Sequence, residues 1–234
     1  LWSVLGAIGY VESDSGRSGA PGVHSGSNSA GAEGPMQFEP ATFASYGTVG
    51  PGGANPASPY DPIDAVYSAA RLLCADGAAA PGGMSEALFD YNHSTPYVQI
   101  VVILAQALEV APALGAVPAE ALAFAARQLG VPYHWGGTGP TGFDCSGLTQ
   151  AAYGAAGVSV PRVAQSQFDQ GPPVAAGTEV SPGDLLFFGS STKTVEHVGI
   201  YVGAGEMIDA PHTGAVVREE PGRWEDFVGA TRPG

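Results

Sequence analysis

Positive charge is scarce in this chain: 8 lysines and arginines stand against 22 aspartates and glutamates, a formal net charge of −14 over 234 residues. A surface this acidic excludes roles that neutralise phosphates, so neither nucleic acid nor an anionic lipid surface is an expected partner. Long hydrophobic runs are missing too. The longest, such as 98–108, are too short and interrupted to span a bilayer, and no membrane insertion by this chain is expected. No charged signal-type segment precedes the apolar start at Leu1, and a chain beginning at Leu is expected to continue upstream into a signal peptide or membrane helix outside this sequence. Cysteine is nearly absent. A Cys74–Cys145 disulfide is disfavoured because each residue has its own sufficient explanation, and Cys74, directly after the apolar run 65–73, reads as a helix core position. His24, His93 and His134 share no ligand spacing with one another or with acidic residues, so no metal or cofactor is expected.

What the chain has in abundance is glycine (35) and proline (20), and their placement divides it. Helical patterns run over 2–11, 40–46, 62–76, 85–91 and 96–108, several with proline at or near the first turn. The aperiodic stretches 15–34 and 47–59 between them read as long surface loops. Two prolines among small residues near 109–118 read as a linker. After it come a helix at 118–129, a second from Cys145 to Gly157, and short apolar runs at 184–188, 197–202, 206–208, 215–218 and 227–231 separated by turn residues. The expected architecture is α+β: a mostly α-helical domain over 1–108, the linker at 109–118, and over 119–234 a domain of helices followed by an antiparallel sheet.

Chemistry concentrates in the second half. Asp144, Cys145, Ser146, Gly147 and Leu148 stand in a row, and the run that opens with His197 follows about fifty residues later. A thiol becomes a strong nucleophile when an imidazole and a helix N-terminus stabilise its thiolate. Cys145 is the candidate nucleophile and His197 its base. The group that orients the imidazole is either Asp209, at the end of 206–208, or its rival His212.

The order Tyr133-x-Trp135-Gly136-Gly137, Asp144-Cys145-Ser146-Gly147-Leu148, Pro161-Arg162, Pro182-Gly183-Asp184-Leu185, His197-Val198-Gly199-Ile200-Tyr201 and Gly229-Ala230-Thr231-Arg232 closely resembles the NlpC-type cell-wall cysteine peptidases, a papain-like family. The resemblance implies cleavage of peptidoglycan stem peptides, typically at the D-isoglutamyl to diamino-acid bond. It implies that Tyr133 joins the backbone N–H of Cys145 in stabilising the oxyanion; Asp144, Ser146 and His212 are the residues expected to contact substrate there. The family's third residue lies twelve positions after the histidine, which is Asp209 here. Histidine is common there, so the aspartate is a departure. Arg162-Val163-Ala164 likewise departs from the family's Arg-Thr-Ser.

In the first half, Glu12 ends an apolar helix, where partial burial would raise its pKa and suit it to general acid work. Glu12-Ser13, the stretch 30–43 with Met36-Gln37, the run 61–73 and Tyr91-Asn92 resemble the soluble lytic transglycosylase domain of the goose-type lysozyme superfamily. That resemblance implies that Glu12 protonates the glycosidic oxygen between N-acetylmuramic acid and N-acetylglucosamine, with Gln37, Tyr91 and Asn92 lining the sugar cleft. A second carboxylate, if the cut is hydrolytic, is open among Asp14, Glu33, Glu39 and Asp90. The combined expectation is a bifunctional peptidoglycan hydrolase, extracellular or wall-associated, whose partners are glycan strands and stem peptides. The rival readings are a wall-binding protein with an inactive glycan domain and a Cys-His amidase or acyltransferase on another substrate.

Overall fold

Proline opens both α2 (Pro40–Tyr46) and α3 (Pro62–Ala75), at a position where a backbone N–H would have no helical partner anyway. Asp61 caps α3 by accepting from the amides of Ile63 and Asp64 at 2.9 and 3.0 Å. With α1 (Trp2–Ser13), α4 (Met84–Asn92) and α5 (Thr95–Leu114) they complete the helices of the N-terminal half. The computed structural model describes residues 2–114, 116–175, 177–222 and 224–234, and the chain separates into two units, Leu1–Ala105 and Gln106–Gly234.

The two Gly- and Pro-rich loops of the first unit are aperiodic, as their sequence predicts, but buried side chains tie them down. Asp64, fully buried on α3, accepts from the amides of Gly50, Ala54 and Ser58 at 2.8, 3.0 and 3.1 Å and so gathers the loop 47–59. Asn28 accepts from Ala30 and Ala32 and donates to the Gln37 side chain at 2.8 Å, holding the loop before α2. Cys74 is a free thiol, but it is exposed on α3 and not in the core. The helix turns its buried stripe through Ala65, Ala69, Leu72 and Leu73, and position 74 falls beyond that stripe's edge.

The expected linker at 109–118 is instead helical over 109–114 and 116–118, with residue 115 outside the described residues. Alanine, leucine and glutamate around it are strong helix formers, and Pro118 falls in the first turn of α6 (Ala116–Arg127), where proline is tolerated. In the second unit α7 (Cys145–Ala155) and α8 (Ala164–Gln170) precede the strands β1 (Leu185–Ser191), β2 (Thr194–Gly203), β3 (Glu206–Asp209), β4 (Arg218–Pro221) and β5 (Phe227–Thr231). They form one antiparallel sheet in the order β4-β3-β2-β1-β5, which makes the unit α+β. Helix α8 was not visible in the pattern, because only Ala164 and Gln167 of its seven residues are buried.

The register separates the two faces of the sheet. Phe188 lies opposite His197, Leu186 opposite Gly199 and Met207 opposite Tyr201, so one face carries Leu186, Phe188, His197, Tyr201 and Met207. The other carries Leu185, Phe187, Val198, Ile200 and Ile208, and Phe168 of α8 meets Phe187 edge-on at 5.3 Å. The run 215–218, expected as a strand of this sheet, pairs in large part elsewhere: Val217 and Ala215 exchange backbone hydrogen bonds with Gly130, Val131 and Tyr133, and β4 begins only at Arg218. That pairing holds the Tyr133 backbone in place.

Candidate active site

Asp144 makes Cys145 the first residue of a helix. Its Oδ1 accepts from the Gly147 amide at 2.7 Å, while Oδ2 accepts from the Gly136 amide at 2.9 Å, so one carboxylate caps α7 and anchors the preceding loop. Gly147 permits the close approach: a Cβ there would lie 2.0 Å from the carbonyl oxygen of Gly137. The half-buried Cys145 sulfur therefore sits at the positive end of an eleven-residue helix, where a thiolate is stabilised.

His197 and Asp209 share one sheet face, and Gly199 between them has no side chain to intervene. A Cβ at 199 would meet the Met207 sulfur at 2.7 Å and the Asp209 Cβ at 3.3 Å. Asp209 is fully buried, and its Oδ2 lies 2.5 Å from His197 Nε2. With Nε2 occupied, the other ring nitrogen is left for Cys145, which lines the same cleft and is close enough to raise the imidazole pKa. Burial by itself would push the imidazole pKa down. The hydrogen bonds and negative charge of Asp209 and Cys145 outweigh it and hold His197 at about 9. Of the two candidates for orienting His197, Asp209 is the one in contact; His212 is exposed, and its Nδ1 pairs with the Thr213 carbonyl at 3.0 Å.

Around the pair opens a cleft of about 770 Å³ whose walls include Tyr133, Trp135, Ser146, Arg162 and His212. Burial, then the nearby negative charge of Cys145 and Asp144, raises the Tyr133 pKa against the opposing charge of Arg162, which keeps its hydroxyl a hydrogen-bond donor. Trp135, 88% exposed, stands at the rim. Asp144 and Ser146, expected to meet substrate, direct their polar atoms largely inward: Arg162 binds Asp144 through both terminal nitrogens at 2.9 and 2.6 Å and reaches the Ser146 hydroxyl at 3.0 Å.

Gln167 is a contributor that sequence reasoning missed, and Arg162, named there only as part of a motif, was given no role. Gln167, buried on α8, donates to the carbonyls of Ser146 and Pro161 at 2.9 and 2.7 Å and accepts from Thr149 at 2.8 Å. The only sequence signal for Arg162 was its place after Pro161, and for Gln167 there was none, since both act through contacts between distant segments. Arg162→Ala is expected to destabilise this unit by about 1–2 kcal/mol, allowing for solvent screening of a guanidinium that is one-third exposed. The midpoint of urea unfolding measures it.

In the first unit Glu12 is partly buried near the end of α1. Burial raises its carboxyl to about 7, opposed by the Tyr97 phenol. The Tyr97 hydroxyl is buried without a hydrogen bond of good geometry among the described residues, yet close enough to Glu12 for each to shift the other. Tyr91 stacks on Tyr97 at 6.4 Å, donates to the Met36 carbonyl at 2.8 Å, and feels the Glu12 charge. Gln37 and Tyr91 line a polar cleft of about 400 Å³ together with Glu39, Asp76 and Asp90; neither Glu12 nor the exposed Asn92 is among its walls. Of the other carboxylates, Asp14 pairs with Arg17 at 2.8 Å and Glu33 lies beside Tyr60.

Comparison with known proteins bears on the second unit. The model of the NlpC/P60 family matches residues 130–227, which span Tyr133, Cys145, His197 and Asp209. A Corynebacterium glutamicum protein named a probable endopeptidase is 41% identical over 142 residues, 60% of this chain and 65% of the relative. The Listeria monocytogenes probable endopeptidase p60 is 44% identical over 93 residues, 40% of this chain and 19% of the relative. The bifunctional muramidase/DL-endopeptidase CwlT of Bacillus subtilis is 42% identical over 108 residues, 44% of this chain and 32% of the relative. The chain thus spans less than two thirds of the length of each of these relatives. The matched segment takes in the capped cysteine helix and strands β1 to β4, and over residues 130–227 this chain is similar to the NlpC/P60 family.

Proposed function

We propose that the chain is a peptidoglycan hydrolase whose second unit is a cysteine endopeptidase of the stem peptide. The observation that carries the reading is the His197 imidazole held between the buried Asp209 carboxylate and the Cys145 thiol at a helix N-terminus. In this reading the Cys145 sulfur attacks the scissile carbonyl, and the oxyanion is met by the Cys145 backbone N–H and the Tyr133 hydroxyl. His197 then gives its proton to the leaving amine. It next takes a proton from the water that cleaves the thioester and restores the thiol–imidazole pair. Asp209 holds the ring and its charge throughout. The bond cut is the D-isoglutamyl to diamino-acid bond, and the enzyme works outside the membrane, in or near the wall. Digestion of purified peptidoglycan with mass spectrometry of the fragments tests the reading; intact stem peptides after prolonged digestion would sink it.

The first unit, in the same proposal, cuts the glycan strand between N-acetylmuramic acid and N-acetylglucosamine with Glu12 as general acid. What supports this is the carboxyl raised to about 7 near the phenols of Tyr91 and Tyr97, which keeps a proton available near neutrality. Gln37, Tyr91 and Asn92 would contact sugar. Glu12→Gln is expected to lower new glycan ends by at least about 100-fold. It also has a readout independent of activity. A carboxyl raised by burial contributes stability that is complete below pH 4.5 and lost as pH rises through 7. Removing the charge should therefore stabilise the unit at pH 8 by up to about 3 kcal/mol. An unchanged thermal midpoint at pH 8 together with unchanged glycan ends would favour a glycan-binding role for this unit.

A further inference from the structure

The cleft around Cys145 has little positive charge to spare. Among the described residues Arg162 is the one arginine or lysine in its walls, and both of its terminal nitrogens are taken by Asp144. The imidazolium of His197 is matched by Asp209 and by the Cys145 sulfur. Glu196, next to His197, also lines the cleft, and its exposed carboxylate has no ion pair among the described residues. Lys193, the single lysine of the chain, lies on the exposed turn between β1 and β2 and is not among the walls. The whole second unit carries thirteen carboxylates against six lysines and arginines.

A stem peptide has free carboxylates of its own beside the bond in question, on the glutamyl residue and on the diamino acid. Such a group entering this cleft meets a field of its own sign and sheds water without a free cation to replace it. We propose that the cleft selects stem peptides by charge, taking those whose carboxyl groups beside the scissile bond are masked as primary amides, with Glu196 the side chain that disfavours the free acid. The carboxamide is neutral and supplies N–H donors that a carboxylate or a backbone carbonyl can accept. The inference rests on the peptidase reading above and narrows its substrate.

Two synthetic peptides, L-alanyl-γ-D-glutamyl-diamino acid with the glutamyl α-carboxyl free or amidated, test it on the full chain. The amide is expected to show a kcat/KM about 10-fold higher at low ionic strength, narrowing to about 3-fold at ~0.5 M salt as the field is screened. Glu196→Gln should narrow the low-salt difference by about 3-fold, and Glu196→Lys should erase or reverse it. Equal turnover of the two peptides, preference for the acid, or a preference indifferent to both salt and position 196 would overturn the proposal. Calorimetric titration of the same peptides into Cys145→Ala reads selection apart from chemistry. Tighter binding of the amide, with no cleavage of either by the native chain, would remove the peptidase reading and leave the charge selection standing. Equal binding would remove the selection even where both are cleaved, and binding of neither would remove both.

Discussion

Cys145→Ala is expected to abolish stem-peptide cleavage, lowering kcat by about 10⁴ to 10⁶-fold while the fold is retained. The sulfur is the atom that bonds to substrate in the proposed reaction, and no other thiol can replace it, since Cys74 lies on α3 of the other unit. The substitution leaves little void, because the half-buried side chain faces a cleft and not the core. Capping by Asp144 uses the Gly147 amide and is untouched. Unchanged circular dichroism with lost turnover is therefore the expected pair of results. Residual cleavage within tenfold of the native rate would assign the chemistry elsewhere.

Asp209→Asn is expected to have the second largest effect, a fall in kcat of about 10³ to 10⁴-fold. An amide of the same shape can still touch Nε2, but it brings no charge to hold a buried imidazolium and can present an N–H where an acceptor is needed. The native alkaline limb of kcat/KM should lie near pH 9, where His197 loses its proton. In the variant, burial is opposed by fewer partners and the limb should move down by a pH unit or more. Stability follows the same sign. An imidazole raised by its partners contributes stability that is complete below pH 6.5 and lost as pH climbs through 9, so the native melting temperature should decline across that window and the variant's should decline less. His212→Ala, by contrast, should leave the limb in place, because that imidazole is exposed and bonded only to the Thr213 carbonyl. A limb that moved with His212 and stayed put with Asp209 would reverse the assignment.

Much of the scaffold could be read from local pattern. Helices α1 to α4 and α7, and strand β5, lie within two residues of their expected bounds, because proline at a first turn, a capping aspartate and glycine stops act over a few residues. Two elements escaped for the same reason in reverse. Helix α8 has too few buried residues to print a period, and the short apolar run 215–218 reads like a sheet strand but pairs mainly with the loop at 130–133. The 109–118 stretch misled because Pro112 falls in the last turn of α5 and Pro118 in the first turn of α6, so both prolines sit at helix ends and not in a separate linker.

By itself the sequence determined that a cysteine opens a helix, that a histidine lies in a strand some fifty residues on, and that the chain is strongly acidic. These follow from neighbours along the chain and from net charge, which need no folding to be read. The tertiary structure decided that Asp209 and not His212 contacts the imidazole, that Arg162 and Gln167 lock the cysteine helix, and that Glu196 lines the cleft with no ion pair among the described residues. Each of those depends on strand register or on a contact across many residues, and a one-residue slip in register would have sent the Asp209 carboxylate to the opposite face of the sheet.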